Sequence, residues 1–169
     1  AWLAHGIHFN NSELEALSEH GIGVAHCPNA NMRLGSGICP VPKMLEQGIK
    51  VGIGVDGSAS NDSGHILGEL RQALYLARVD GGAEAMSAMD ALELGTWRSA
   101  ELIGRDDIGR IAAGFCGDCA LFPVHDLYSN GCENAVDALL ICHPRQVCDL
   151  IVGGNIRIGN GNISSVDLD

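Results

Sequence analysis

The run Val51-Gly52-Ile53-Gly54-Val55-Asp56-Gly57-Ser58-Ala59-Ser60-Asn61-Asp62 constrains this chain more than any other. Val51, Ile53 and Val55 are β-branched and alternate with glycine, the pattern of a buried strand that lets another backbone approach closely. The strand pattern stops at one carboxylate, Asp56, and a helical pattern begins near Gly64. In α/β proteins the carboxyl ends of strands open into the crevice where ligands bind, so a carboxylate there is a candidate for chemistry. The alternative is an Asp that merely caps the next helix.

Upstream the same arrangement recurs. Trp2 to Ala4 is an apolar run that ends at His5-Gly6-Ile7-His8. Ile22-Gly23-Val24-Ala25 is a strand that ends at His26-Cys27-Pro28. Between them, Ser12 with Glu15 three residues on reads as a capping box for a short helix reaching Glu19, with Leu14 and Leu17 as its apolar stripe. A glycine-dotted segment, residues 29–37, reads as a loop, and Pro42 suits the first turn of a helix running to about Gln47. Strands alternating with helices imply βα units around a parallel sheet, here with His5, His26 and Asp56 converging at one end.

Ile66, Leu67, Leu70, Leu74 and Ala77 recur at helical spacing, and a further helix is expected from about Ser87 to Ile103. From Ile108 onward the pattern changes to short apolar runs: 119–122, 138–142, 150–152, 155–158 and 163–166. Each is expected to be a strand, with Gly159-Asn160-Gly161-Asn162 as a hairpin turn. The expected division is therefore residues 1–106 as α/β and 107–169 as a β-rich tail whose strands pair with chain outside this sequence.

Charge and cysteine content exclude several classes of function. A net charge of −11 argues against binding a nucleic-acid polymer or an anionic membrane, which need clustered Lys and Arg. Seven cysteines outside disulfide-framework spacings point to a reducing, cytoplasmic location. Cys116-Gly117-Asp118-Cys119 has the spacing of a zinc or redox pair, but no second CxxC or His pair follows, so these cysteines are expected to be reduced and largely buried. The opening residues Ala1-Trp2-Leu3-Ala4 read as a strand already in progress, as in a piece of a longer protein.

The segments LAHGIHF (3–9), AHCPNANMRLGSGICPV (25–41) and GVDGSASND (54–62) together resemble the amidohydrolase superfamily, in its chlorohydrolase and aminohydrolase (cytosine and guanine deaminase-like) branch. The run 100–109 followed by Gly114 looks like that family's passage from barrel to small β-domain. The resemblance implies the C-terminal part of a (β/α)8 TIM-type barrel, strands six to eight, followed by the C-terminal strands of a small β-sandwich. It implies a metal-dependent hydrolase of non-peptide C–N bonds that deaminates a purine-type base such as 8-oxoguanine. Alternatives are a triazine amino- or chlorohydrolase, a guanine or cytosine deaminase, and a non-catalytic relative.

By position Asp56 matches the strand-eight metal ligand and proton carrier, and His5 the strand-six histidine that faces water and substrate. The implied cofactor is one divalent ion, zinc or iron, whose strand-one His-x-His pair and strand-five His ligand, and the Glu that follows that His, are not among these residues. Trp97-Arg98 departs from the small residues common in relatives. Asn31 and Arg33 are candidates to hydrogen-bond a heterocyclic carbonyl, with a solvated loop charge as the equal alternative for Arg33. His26 is assigned to support the site and His8 to structure; His20, His65, His125 and His143 have no companions at ligand spacing. The implied partner is a small heterocyclic substrate, and self-association into a homo-oligomer is left open.

Overall fold

The computed structural model describes residues 1–142 and 146–163. Three short strands, β1 (Trp2–Ala4), β2 (Gly23–His26) and β3 (Val51–Ile53), form a parallel sheet in sequence order. The register pairs Trp2 with Gly23 and Ala4 with Ala25, then Val24 with Val51 and His26 with Ile53. Parallel strands need helical crossovers. These are α1 (Asn11–Glu19) and the pair α2 (Pro28–Arg33) and α3 (Val41–Glu46). After β3 come α4 (Ile66–Gly81), α5 (Ala88–Leu94) and α6 (Trp97–Leu102).

Several local assignments differ from the sequence expectation. The capping box of α1 is set two residues earlier: Asn10 accepts from the Glu13 amide, and Glu13 accepts from the Asn10 amide. Ser12 only donates to the Asn10 side chain. The expected loop at 29–37 begins as α2, because Pro28 sits in the first turn and the Asn31 amide bonds to Cys27 O. The expected single helix from 87 to 103 is broken at Gly95-Thr96. Gly95 packs against Leu70, where an added Cβ would come within 2.9 Å of Leu70 methyls. The Thr96 hydroxyl donates to Leu92 O, ending α5.

Strand glycines have the use their pattern implied. A Cβ on Gly52 would lie 2.8 Å from Ser99 Oγ, and one on Gly23 would meet Leu102 and Lys50 O, so α6 can lie directly on the sheet. Ser99 Oγ exploits that closeness by accepting from the Ile53 amide and donating to Leu94 O.

The tail carries a second sheet, antiparallel, in the order β4 (Cys119–Leu121), β5 (Asp149–Val152), β6 (Asn155–Gly159) and β7 (Asn162–Ile163). The β6–β7 hairpin turns through Asn160 and Gly161, both with positive φ, as the Asn-Gly pair requires. The expected strand at 138–142 is a short π-helix following α7 (Ala135–Asp137). Asn134 caps that segment, and Ala138 and Leu140 are buried. A five-residue apolar run has no periodicity long enough to distinguish the two outcomes. The expected strand at 163–166 lies outside the described residues beyond Ile163, as does His143.

The tail cysteines are not buried as expected. Cys116 is exposed and Cys119, Cys132, Cys142 and Cys148 are partly exposed, whereas Cys27 and Cys39 in the α/β region are buried. All seven are free thiols. The main hydrophobic cluster lies between Leu14 and Leu94, with Leu140 as its one member from the tail. The antiparallel sheet therefore has little apolar cover among the described residues.

Candidate functional site

The parallel register brings the last residues of β1, β2 and β3 to one edge of the sheet, and the chain then changes direction. His5 and Asp56 do so in left-handed backbone conformations, with φ of +68° and +62°. Among the described residues only Asn160, in the hairpin turn, is another non-glycine with positive φ. Such conformations cost of order 1 kcal/mol or more and cluster at functional sites. Here they turn two side chains toward each other, leaving His5 Nε2 3.9 Å from Asp56 Oδ2.

Each side chain is held from behind. His5 Nδ1 lies 2.8 Å from Asn31 Oδ1, an oxygen that can only accept, so Nδ1 carries the proton. In the neutral ring Nε2 is then a lone-pair acceptor aimed at Asp56. Asp56 Oδ2 accepts from Ser60 Oγ at 2.6 Å. That bond, then the Gly57 amide and, least, His5 hold the Asp56 carboxyl below its ordinary range.

Two acceptors facing each other across 3.9 Å call for a cation or a donor between them. The donor chemistry, a carboxylate oxygen and an imidazole nitrogen, suits a divalent metal of the zinc or iron type. The number falls short: among the described residues no group of three His, Cys, Asp or Glu side chains converges. The pair could supply at most one edge of a metal site.

His26 closes β2 as expected but lies inside the protein. It is 1% exposed, and burial, then the nearby His5, lowers its pKa to about 4. Its Nδ1 has no hydrogen-bond partner among the described residues. Asn31 is equally buried, with its oxygen on His5 and its Nδ2 unpartnered. Arg33 is half-exposed and paired with Asp62, so it bridges the segments that follow β2 and β3. His65 caps α4 by accepting from the Gly68 amide, and His20 Nδ1 bonds Ala16 O.

Sequence reasoning missed Ser60, Asn61 and Glu69. Glu69 was detectable in principle, as a carboxylate embedded in the apolar stripe of Ile66, Leu70, Ala73 and Ala77. It is fully buried.

Comparison with known proteins follows the same lines. The amidohydrolase family matches residues 1–162. The chain is 47% identical over 167 residues to an 8-oxoguanine deaminase of Pseudomonas aeruginosa, covering 99% of this chain and 37% of the relative. It is 37% identical to a 5-methylthioadenosine/S-adenosylhomocysteine deaminase of Natronomonas pharaonis, over 98% of this chain and 39% of the relative. A variant of the atrazine chlorohydrolase of Arthrobacter aurescens, crystallised with zinc and atraton, superposes with a TM-score of 0.93 at 31% identity, over 99% of this chain and 38% of that one. The chain thus spans less than two fifths of the length of each of these proteins.

Proposed function

The chain belongs to the amidohydrolase family, and on that premise we propose that it forms part of a metal-dependent hydrolase that deaminates a purine-type base, with 8-oxoguanine as substrate. In this reading β1, β2 and β3 are strands six, seven and eight of a (β/α)8 barrel within residues 1–106. Residues 107–169 are then the C-terminal part of a β-sandwich. The observation that carries the reading is the facing of His5 and Asp56 across 3.9 Å at neighbouring strand ends, each in a left-handed conformation.

Asp56 is the residue of this chain that would hold the metal, one divalent zinc or iron ion. When bound, such an ion supplies the charge that brings the pKa of water to about 7. The chain's own residues do the remaining work. Asp56 accepts the proton of the attacking water and returns it to the departing amine, so that water and the amino compound become the oxo compound and ammonia. Ser60 keeps the carboxylate oriented and ionised. His5 Nε2, fixed as an acceptor by Asn31, orients the water and responds to charge growing on the ring. Arg33, with N–H donors beyond the one on Asp62, hydrogen-bonds the heterocycle's oxygens, whereas Asn31, expected from the sequence to do the same, is buried with its Nδ2 enclosed and serves to hold His5 instead.

The 31% identity to an atrazine chlorohydrolase favours a second reading, removal of a substituent from a triazine. Both are tested by replacing the matching segment of the Pseudomonas aeruginosa 8-oxoguanine deaminase with this chain. Turnover of 8-oxoguanine, guanine and a chlorotriazine is then measured beside metal content and melting temperature. The expected result is fastest turnover of 8-oxoguanine. Fastest turnover of the triazine establishes the second reading, and a folded, metal-loaded chimera inactive on all of them overturns the enzyme reading.

A further inference from the structure

We propose that Glu69 is the positioning residue that sets the separation of His5 and Asp56, acting as a buried brace between the segments that follow β2 and β3. The inference rests on the roles proposed above for those two residues. Glu69 lies in the first turn of α4 and is 0% exposed. Its Oε1 accepts from Asn29 Nδ2 at 2.6 Å and from Asn61 Nδ2. Its Oε2 accepts from the backbone amide of Asn29 at 3.1 Å. Among the described residues no cation pairs with it.

A buried carboxylate without a cation is costly unless hydrogen bonds replace its water. An apolar residue in the stripe of α4 would avoid that cost, so a purpose for the carboxylate follows from what its donors do elsewhere. Asn61 Nδ2 also donates, at 2.8 Å, to Val55 O, the carbonyl of the peptide bond that joins Val55 to Asp56. Ser60, adjacent to Asn61, holds the Asp56 carboxylate. On the other side, Asn29 lies in the same short helix as Asn31, whose Oδ1 holds His5 Nδ1. One arm of the brace therefore reaches Asp56 and the other reaches His5. Arg33 and Asp62 link the same two segments at the surface, where solvent weakens the pair.

The design needs a carboxylate. Both oxygens must accept, because the Asn29 backbone amide cannot be turned around. Asn61 cannot flip without losing Val55 O. In Glu69→Gln the amide nitrogen replaces either Oε1, and faces both side-chain amides, or Oε2, and faces the Asn29 backbone amide. The Asn29 arm therefore loses a bond whichever way it points, while side-chain volume is conserved.

Kinetics, metal content and amide exchange of Glu69→Gln, Asn29→Ala and Asn61→Ala in the chimera test this. Glu69→Gln is expected to retain its metal and lose kcat by about a hundredfold, with KM within about threefold of the unmutated chimera. Adding Asn29→Ala to Glu69→Gln should cost little more, since both weaken the Asn29 arm. If Glu69→Gln lowers only the melting temperature and leaves kcat within about threefold, or if the two losses multiply, the brace is refuted. Should Glu69→Gln fail to fold, Asn29→Ala and Asn61→Ala separately decide the matter by the same loss of kcat at constant KM. An unmutated chimera without turnover would overturn the proposed function instead. Glu69 is then judged by exchange: the brace predicts faster exchange at Asn29, Ser60 and Asn61 with Val24 and Leu74 unchanged, and unaltered exchange at all five contradicts it.

Discussion

The α/β region and the tail solve the problem of holding short strands in different ways. Strands β1 to β3 are three or four residues long, yet β2 is wholly buried and helices lie directly on the sheet. Strands β4 to β7 are of similar length and mostly exposed. The first region draws its stability from apolar cover, with Leu14, Met44, Leu70, Leu74 and Leu94 almost completely buried. The second depends on turns and local polar contacts, such as the Gly153 amide on Asp118 and the Asn160 amide on Asp149. Cover is greatest at β2 and β3, while β1 is exposed along its length, and the left-handed residues of the candidate site follow β1 and β3.

The largest effect that would test this contrast is on core packing. Leu74→Ala is expected to cost about 2–5 kcal/mol, and Ile156→Ala, 63% exposed in β6, far less, by urea unfolding. Comparable losses would show that the tail is packed as tightly as the core.

Acid comes next. His26 ionises near 6.5 when unfolded and near 4 when folded. Between those values the unfolded chain binds the extra proton. Stability from this group is therefore full above about pH 6.5, falls on acidification, and levels off below about pH 4, a loss of about 3 kcal/mol. His26→Gln should flatten that slope, and an unchanged slope would mean that His26 is not buried neutral. The tail's counterpart is Asp107, which hydrogen bonds from Arg105 hold at a pKa of about 2. Its folded value is depressed, so its contribution is present above about 3.8 and disappears as pH falls through about 2. The pair is exposed, and Asp107→Asn should shift the melting temperature least of these variants, with the shift erased by salt.

The parts of this fold that announced themselves did so through local pattern. Alternating β-branched residues located β3, and a polar residue closing each strand located His5, His26 and Asp56. Sequence left undecided whatever depends on competition between equivalent local solutions. Asn10 with Glu13 and Ser12 with Glu15 both satisfy a capping box, and only the entry of the chain from β1 decides between them. Residues 138–142 are apolar in either a strand or a helical turn, and the cap at Asn134 selects the latter. Glu69 was invisible as a brace because its donors, Asn29 and Asn61, lie 40 and 8 residues away. The left-handed conformations of His5 and Asp56 could not be read either, since neither residue type demands one.

The central claim is that Asp56, turned toward His5, carries the proton in deamination. Turnover of Asp56→Asn in the chimera on its best substrate measures this directly. Asn conserves shape and can offer an oxygen but cannot take up the proton. The account predicts a loss of at least about a hundredfold with the fold intact. A variant that keeps more than about a tenth of the unmutated rate, against that expected loss, would show that Asp56 is only a turn residue ahead of α4.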